Sequence, residues 1–289
     1  MKIRLLQLDG KFPNIALMKI STYYKRKGFD VGWYEPIRDL YNTDKLFVSK
    51  IFEFTPKYLY YPYDCEIEKG GTGFDIYKTL PFEIDIITKL DYSLYPTCEY
   101  SVQFYSRGCP KHCAFCVVPD KEGGIISTTP YSLNPKGKWI EILDNNFFAA
   151  PRWEQAIEDI LKVNQPVNFH GIELETITED VANIINKLKL HKRIHIAWDD
   201  PNERPQEKMR EVIQWIKPYK IMCYVLIGFG STEEEDVYRV EELRKLDIQP
   251  FAMPYDKTDQ YQKDFTRYVN FKAIFKSVSW KDYQGRKRY

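Results

Sequence analysis

The sequence lacks a large net charge, a long apolar stretch and any internal repeat. Its 289 residues carry 42 basic and 41 acidic side chains, for a formal net charge of +1. A balanced charge gives no general attraction to nucleic acid or to a membrane surface. No stretch approaches the roughly 20 apolar residues of a membrane-spanning helix, and the apolar run after Met1 is too short for a secretory signal. We therefore expect a cytoplasmic protein with no membrane partner and no indication of nucleic acid binding.

Cysteine is scarce, and its distribution is uneven. The chain has 6 cysteines, and three of them, Cys109, Cys113 and Cys116, form one short cluster. A chain of this length buries enough surface to fold without disulfides, and cytosolic cysteines are more often metal ligands or core residues. Cys223 lies in an apolar run and is expected to be buried. Cys65 and Cys98 receive no predicted role.

Residues 1–90 form the first of two blocks in which strands alternate with helices. The block combines apolar runs typical of buried strands with one helical pattern that ends at Gly28, a natural helix stop. This alternation predicts a small doubly wound, Rossmann-like α/β domain. The predicted helix is Ile15–Lys27, and the predicted strands or β-rich runs are Lys2–Leu8, Val31–Tyr34, Asp44–Phe54 and Phe82–Ile87.

A glycine-rich segment, Gly70-Gly71-Thr72-Gly73, lies within this block. Glycine adopts positive φ angles without steric cost, so the segment predicts a tight turn. A phosphate-binding loop would require a following helix that opens with a Lys-Ser/Thr pair. No such pair follows, and the turn is the favoured interpretation.

Residues 91–289 form the second block, in which six apolar runs alternate with helical patterns. Parallel strands joined by helices need right-handed crossovers, and six such units predict a (β/α)6 partial barrel with a C-terminal helical extension. In such folds the functional loops follow the carboxyl ends of the strands. The six predicted strands are Tyr100–Tyr105, Lys138–Leu143, Val167–His170, Arg193–Trp198, Ile221–Gly228 and Gln249–Pro254, and the predicted helices are Trp153–Val163, Thr178–Leu190, Pro205–Ile216 and one that opens at Ser231.

The three clustered cysteines directly follow the first strand of this second block. Their spacing is Cys-x3-Cys-x2-Cys, from Cys109 through Cys113 to Cys116. Thiolates are the ligands of iron–sulfur clusters, and four of them would complete the coordination of a cubane. A loop that supplies three leaves one iron open, and an open coordination site is typical of catalysis.

Three other interpretations of the motif stay open. A zinc site would need a fourth ligand, for which His112 is the nearest candidate, although its position beside Cys113 gives poor geometry. A ferredoxin-like electron carrier would need a fourth cysteine from elsewhere in the chain. A redox dithiol of Cys113 and Cys116 would leave Cys109 without a role. The candidates for a fourth cysteine ligand are Cys65, Cys98 and Cys223.

The motif, placed after a strand at the start of a six-unit α/β block, resembles the radical S-adenosylmethionine superfamily. The sequence is similar in particular to the branch with a cobalamin-binding-like N-terminal domain. The resemblance implies that Cys109, Cys113 and Cys116 bind three irons of a [4Fe–4S] cluster, while the fourth iron binds S-adenosylmethionine. It also implies that the reduced cluster cleaves this molecule to a 5′-deoxyadenosyl radical. Phe115 matches an aromatic position that packs near the adenine.

The resemblance also suggests cofactor-binding residues at the ends of later strands. The superfamily has a Gly-Gly-Glu-like stretch after its second strand, and this chain has Asp144, Asn145 and Asn146 there, without the glycines. Their oxygen atoms can accept hydrogen bonds from the methionine ammonium group. Further predicted cofactor contacts follow the third, fourth and fifth strands, at Glu173, Asp199 and Gly228. For each position, ordinary strand-end packing or helix capping is the alternative.

Two departures from the superfamily patterns narrow the prediction. The N-terminal block lacks the Asp-x-His-x-x-Gly pattern that supplies a histidine to cobalamin, since Asp9-Gly10-Lys11-Phe12 contains none and no histidine precedes His112. We therefore expect either no cobalamin, which is favoured because cobalamin is unlikely here, or cobalamin without that ligand, and we expect the N-terminal domain to be a degenerate cobalamin-binding-like domain. The methylthiotransferase branch uses three N-terminal cysteines for a second cluster, whereas only Cys65 and Cys98 precede the motif.

The sequence thus predicts a radical S-adenosylmethionine enzyme whose substrate is unknown. The protein binds and orients the cofactor, which performs the difficult chemistry. The expected partner is an external one-electron reductant such as a flavodoxin or a ferredoxin. The alternative is a non-catalytic iron–sulfur protein that carries electrons or binds a partner, and a zinc-dependent binding protein is a further one.

Overall fold

A computed structural model describes residues 1–283 of the chain. It divides into two compact units, Met1–Ile142 and a second that begins at Leu143. The domain boundary that the sequence predicts near residue 90 stays a prediction. No helix in the described part has the length and apolar character of a membrane span.

The first unit is built on a parallel four-stranded sheet. Its strand order is β2-β1-β3-β4, with α1 joining β1 to β2. Ile3 and Leu5 of β1 pack in the core with Leu17 and Met18 of α1, and all four are nearly inaccessible. The elements of this part are β1 (Lys2–Gln7), α1 (Ile15–Arg26), β2 (Asp30–Trp33), α2 (Pro36–Asp39), β3 (Lys45–Ser49), β4 (Glu66–Gly70) and α3 (Phe82–Asp85).

Two of the N-terminal predictions need correction. Residues 82–85 form a helix, not a strand, because Pro81 begins a turn whose carbonyl accepts hydrogen bonds from the amides of Ile84 and Asp85. Ile84 and Ile87 are buried at helical spacing. The strand β4 was not predicted at all, because it is an edge strand without an apolar run.

The remainder of the first unit carries the cysteine motif. β5 and β8 pair in parallel, with Tyr100 opposite Trp139, while β6 and β7 form a short antiparallel pair. The motif therefore lies in an excursion between β6 and β7. The elements here are β5 (Tyr100–Gln103), β6 (Ser106–Arg107), α4 (Val118–Glu122), β7 (Ile126–Ser127) and β8 (Trp139–Ile142).

The second unit alternates strands and helices as the sequence predicts. β10, β11 and β12 form a parallel sheet in chain order. Ile194, Cys223 and Val225 have no exposed surface, so one face of this sheet is fully buried. The elements are α5 (Trp153–Val163), β9 (Val167–Phe169), α6 (Glu179–Lys187), β10 (Ile194–Ala197), α7 (Gln206–Trp215), β11 (Ile221–Ile227), α8 (Glu233–Lys245), β12 (Gln249–Pro254), α9 (Gln260–Asn270) and α10 (Lys272–Ser277).

All six strands predicted for the barrel block are present as β5, β8, β9, β10, β11 and β12, with bounds shifted by a few residues. The helix α9 follows β12 and packs against it, and α10 comes after α9. The predicted C-terminal helical extension stays a prediction.

Candidate functional site

The cysteine loop begins immediately after β6, at a sharp change of chain direction. Gly108 is buried and has a φ of +82°, and a Cβ atom at this position would lie 2.3 Å from the carbonyl oxygen of Gly124. The amide of Cys109 donates to the carbonyl of Gly123 at 3.3 Å. Only glycine fits at residue 108, because both the backbone angle and the close approach exclude a side chain.

Glu122 joins the two ends of the cysteine loop. Its Oε2 atom accepts hydrogen bonds from the amide of Gly108 at 2.9 Å and from Nε of Arg107 at 3.1 Å, and its Oε1 atom pairs with Nη2 of Arg107. The Arg107 guanidinium also lies 4.1 Å from the centre of the Phe104 ring. Glu122 thus fixes where the loop leaves and rejoins the fold, a role that sequence reasoning missed.

The chemistry of the loop fits an iron–sulfur cluster. None of the six cysteines is in a disulfide, and Cys113 is exposed while Cys109 and Cys116 are half-buried. Thiolates on a short, accessible loop are the donors that such clusters require. Within residues 1–283, no three His, Cys, Asp or Glu side chains are already arranged to hold a metal ion. The ligand assignment therefore depends on spacing and donor chemistry and stays a prediction.

The other cysteines lie in different surroundings. Cys223 is fully buried in β11, and burial raises the pKa of its thiol well above the usual range. Cys65 packs against the apolar cluster of Tyr34, Leu46 and Val48, and burial likewise raises its pKa. The Cys98 thiol donates to the carbonyl of Tyr100 at 3.2 Å. In the cysteine loop itself, Phe115 is half-buried and His112 is exposed.

In the second unit, residues 144–146 form a tight loop against Gly171. A Cβ atom on Gly171 would lie 2.4 Å from the carbonyl oxygen of Asp144 and 2.3 Å from that of Asn145. The amide of Phe147 donates to the carbonyl of Gly171 at 3.0 Å. Asp144 and Asn146 are buried, whereas Asn145 is exposed. The sequence offered Gly171 between a strand and Glu173, but only the structure reveals this close approach.

Asn146 has an unusual hydrogen-bonding position. Only 2% of the residue is exposed, and its Oδ1 atom has no hydrogen-bond partner within the described residues. A buried acceptor without a donor costs free energy of about 1–3 kcal/mol. Such an atom is a candidate for a contact with a bound ligand.

Asp199 follows the carboxyl end of β10 and holds a half-buried carboxyl group. Its Oδ1 atom accepts a hydrogen bond from the amide of Leu226 in β11 at 2.9 Å. Burial raises the pKa of Asp199 to about 6, although the Leu226 amide and Arg239 oppose the shift. Glu203 and Glu173 raise the pKa further through charge repulsion. The structure therefore brings the predicted residues Asp199 and Glu173 within electrostatic range of each other.

A buried arginine of α8 organises the same strand ends. Arg239 has no exposed surface, and its guanidinium donates to the carbonyls of Trp198 and Asp199 at 3.0 and 3.1 Å and to that of Leu226 at 2.8 Å. It also pairs with Asp236 at 2.5 Å. Sequence reasoning missed Arg239, because a charged residue in a helix usually indicates a solvated face.

Gly228 follows β11 in a left-handed conformation. Its φ is +75°, and a Cβ atom would lie 2.1 Å from Nε2 of Gln262. Its amide is 3.1 Å from Oγ of Ser231, which accepts its hydrogen bond. Packing against Gln262 thus accounts for glycine here, and its predicted contact with a cofactor stays a prediction.

A row of ring side chains crosses β10, β11 and β12. The rings of His170 and His195 stack with centres 5.7 Å apart, and those of His195 and Tyr224 with centres 5.3 Å apart. Phe251 contacts Tyr224 edge-on. Nδ1 of His195 lies 2.5 Å from the carbonyl oxygen of Phe169, so that nitrogen carries the proton. His195, Tyr224 and Phe251 alternate along their strands with the residues of the fully buried face, so they lie on the other face of this sheet. The apolar runs gave no sign of this row.

Comparison by sequence finds distant relatives, although no protein-family model matches the chain. A tRNA-2-methylthio-N(6)-dimethylallyladenosine synthase from Hydrogenobaculum sp. (strain Y04AAS1) is 23% identical over 85% of this chain and 61% of its own length. The ribosomal protein uS12 methylthiotransferase RimO of Psychrobacter arcticus is 21% identical over 51% of this chain and 27% of its own length. The chain thus spans less than two thirds of either relative.

Comparison by structure finds radical S-adenosylmethionine methyltransferase TsrM from Kitasatospora setae, solved with cobalamin and a [4Fe–4S] cluster. Its TM-score is 0.62 at 11% sequence identity, and the match covers 88% of this chain and 74% of TsrM. A second TsrM structure, with tryptophan substrate and a SAM analogue, matches with the same TM-score. The predicted fold, a partial barrel with a Rossmann-like domain, is confirmed. The predicted resemblance to the radical S-adenosylmethionine superfamily is confirmed as well, because both the sequence relatives and the structural neighbour belong to it.

Proposed function

We propose that this chain binds a [4Fe–4S] cluster through Cys109, Cys113 and Cys116 and reductively cleaves S-adenosylmethionine to methionine and a 5′-deoxyadenosyl radical. The observation that carries the proposal is the cysteine loop itself. Three thiols with no disulfide lie on one accessible loop, and the Glu122 clamp fixes both ends of that loop. Held by these three thiolates, a cluster would keep one iron open to bind S-adenosylmethionine, and the reduced cluster would supply the electron for its cleavage.

Residues of the second unit suit the polar end of S-adenosylmethionine. Asn146 Oδ1 is a buried acceptor, and the ammonium group of the methionine moiety is a donor that would satisfy it. Asp144 lies two residues earlier and is equally buried, so its carboxylate would favour the same cation. We assign these two residues to recognition of the ammonium group. Exposed Asn145 contributes its backbone to the tight approach of Gly171.

Asp199 and Glu173 suit the hydroxyl groups of the ribose. Oδ1 of Asp199 accepts from the Leu226 amide, and carboxylate oxygens also accept hydrogen bonds from hydroxyl groups. We assign this pair to the ribose hydroxyls. Arg239 acts through Asp199 by holding the strand end in place. Phe115 is assigned to the adenine, as the resemblance implies.

The electron must come from outside the chain, because the proposed reaction consumes one electron in each cleavage. A flavodoxin or a ferredoxin is the proposed donor. The substrate is proposed only as a molecule with an abstractable hydrogen atom. A cytoplasmic location is proposed because the sequence contains neither a long apolar stretch nor the pattern of a secretory signal.

A histidine-ligated cobalamin does not fit the N-terminal sheet. No histidine precedes His112, and the carboxylate of Asp9, at the end of β1, accepts hydrogen bonds from the amides of Ile51 and Phe52 at 2.7 and 3.0 Å and from the Thr55 hydroxyl. A Cβ atom on Gly10 would lie 2.9 Å from the Ile51 side chain. The chain therefore covers its own strand end, and we propose that the enzyme works without cobalamin.

Methylthio transfer is the reaction of the sequence relatives, and two cysteines argue against it here. A second cluster in this branch would need three cysteines before the motif, and the chain has only Cys65 and Cys98 there. Cys65 belongs to an apolar cluster, and the Cys98 thiol bonds to a backbone carbonyl. We propose a reaction that needs a single cluster.

The test is anaerobic reconstitution with iron and sulfide, followed by dithionite and S-adenosylmethionine. We expect close to four irons per chain and release of 5′-deoxyadenosine, measured by liquid chromatography and mass spectrometry. Cys113→Ala should lose both, because one thiolate is missing. After incubation with hydroxocobalamin and desalting, the protein fraction should show no cobalamin absorbance.

Cys98→Ala is the matched control, because this half-buried thiol lies outside the loop. It should keep the iron and the cleavage activity. Loss of iron in Cys98→Ala would identify a fully cysteine-ligated cluster and an electron carrier. Zinc in place of iron and sulfide would reject the proposal outright.

A further inference from the structure

The glycine-rich turn of the N-terminal sheet carries a contact that the proposed function does not use. The turn consists of Gly70, Gly71, Thr72 and Gly73 and follows β4. Gly71 has a φ of +98°, and a Cβ atom there would lie 2.4 Å from the carbonyl oxygen of Lys50. A Cβ atom on Gly73 would lie 2.7 Å from the carbonyl oxygen of Phe52. The glycines thus let the turn pack directly on the chain that leaves β3.

This packing is the opposite of a phosphate-binding loop. A phosphate needs converging amide donors, whereas the carbonyl oxygens of Lys50 and Phe52 crowd the glycines here. The amide of Gly73 is bonded to the carbonyl of Lys50 at 3.0 Å. The structure thus favours the turn that the sequence predicts, and the turn presents one polar side chain, Thr72.

Thr72 receives a hydrogen bond from the cysteine loop. Nζ of Lys121, in α4, donates to Oγ1 of Thr72. Lys121 is half-buried, and the neighbouring acid Glu122 pairs with Arg107. Burial lowers the pKa of Lys121, with a further contribution from Arg107, although Glu122 opposes the shift. Because the half-buried Lys121 donates to a neutral hydroxyl, this contact orients the side chain and points to a positioning role.

Hydrogen bonds, joined by short stretches of backbone, connect Asp9, two residues beyond β1, to the cysteine loop. The Asp9 carboxylate accepts hydrogen bonds from the amides of Ile51 and Phe52. The backbone of Lys50 forms hydrogen bonds with the glycine-rich turn, and the Thr72 hydroxyl accepts one from Lys121. The next residue, Glu122, closes the base of the loop on Gly108.

We propose that the glycine-rich turn is a latch that holds the cysteine loop closed through the Thr72–Lys121 hydrogen bond. Thr72 and Lys121 are positioning residues that act through α4 on Cys109, Cys113 and Cys116. The consequence for cluster retention rests on the proposed function, while the latch itself is a property of the protein without its cluster.

Hydrogen–deuterium exchange on the cluster-free protein tests the latch directly. Thr72→Val keeps the shape of the side chain and removes the acceptor. We expect the amides of residues 108–122 to exchange about fivefold faster, the factor that loss of one ordinary hydrogen bond gives. Thr72→Ser keeps the hydroxyl and should exchange at the wild-type rate. Peptides from β1 and α1 should be unchanged in both variants.

The reconstituted protein supplies the second measurement. In Thr72→Val and in Lys121→Met, the cluster absorbance should decay several-fold faster in the presence of a chelator, and the electron paramagnetic resonance signal of the reduced cluster should broaden. Thr72→Ser should restore both. These readouts report on the surroundings of the cluster and not on activity.

Each outcome decides one of the two proposals. Unchanged exchange in Thr72→Val, or an increase spread over β1 and α1 as well, would overturn the latch. Failure of the wild type to form a cluster would overturn the proposed function. The latch would then be tested by the exchange measurement alone. Faster exchange together with wild-type cluster lifetime and spectrum would overturn the positioning role.

Discussion

Asp199 shows how burial sets the chemistry of one carboxyl group. The unfolded chain releases this proton near the ordinary aspartate pKa of 3.8, whereas the folded protein holds it up to a pH of about 6. The folded state therefore binds more protons between these values, and the contribution of Asp199 to the free energy of unfolding falls as pH rises from about 4 to about 6. At neutral pH the cost is on the order of 3 kcal/mol.

Asp199→Asn should remove this cost and keep the oxygen that accepts from Leu226. We expect the variant to be more stable than the wild type at pH 7.5 by up to about 3 kcal/mol, with the difference vanishing near pH 4. Urea unfolding at pH 4, 5, 6 and 7.5 measures it. Asp200→Asn, a change at the exposed neighbour, should leave the stability unchanged. A pH-independent difference between Asp199→Asn and the wild type would contradict the assignment.

At the scale of single elements, α8 stabilises the strand ends through one buried ion pair. Arg239 and Asp236 are 1% and 0% exposed, and Arg239 also satisfies three backbone carbonyls. Tyr261 donates to the other oxygen of Asp236 at 3.0 Å. Removal of one member of such a pair leaves the other as an uncompensated charge.

Arg239→Met should therefore destabilise the protein by about 3–5 kcal/mol. The double variant Arg239→Met with Asp236→Asn should recover part of this loss, because the asparagine side chain keeps the shape of the aspartate without its charge. Urea unfolding at pH 7 of the two single variants and the double variant gives the coupling energy. Additive effects of the two single changes would mean that the pair is not coupled. Arg244→Met, at a partly exposed pair with Glu241, is the comparison.

The same scale shows which elements a sequence can predict. Apolar runs identified all six strands of the barrel block, because strands buried on a face exclude charge along much of their length. The prediction of a β-rich run at Phe82–Ile87 was wrong, because four apolar residues in a short segment fit a strand and a helix equally well. The sequence did not predict β4, because this strand lies at a sheet edge and carries charged residues. Its Glu66 and Glu68 pair with Lys45 of β3.

The residues of the site also fall into those that the sequence predicts and those that it does not. Cysteine spacing is local, so the sequence alone predicts the three ligands. No local sequence pattern marks Glu122, which simply precedes two glycines. Its hydrogen-bond partners, Arg107 and Gly108, lie at the other end of the loop. Thr72 meets Lys121 only because the fold brings the two segments together. Contacts between distant segments depend on packing that no short motif encodes.

At the scale of the whole molecule, the cores are independent of the proposed cluster. The largest fully buried side chains include Trp198, Tyr268, Phe147 and Phe169, and no cysteine of the loop is among the buried residues. Small zinc domains unfold without metal because their metal replaces a core. A chain of this size buries most of its unfolded surface without one.

We therefore expect the cluster-free protein to be folded and cooperative. A variant with Cys109, Cys113 and Cys116 all changed to Ala should unfold in urea within about 1 kcal/mol of the wild type without cluster, since substitutions at partly exposed positions cost little. Its far-ultraviolet circular dichroism should match that of the wild type. Reconstitution should raise the unfolding midpoint of the wild type and leave that of the variant unchanged, because a ligand stabilises only the state that binds it. A variant that is unfolded from the start would mean that the loop thiols contribute to the core, and the cluster would then have a structural role.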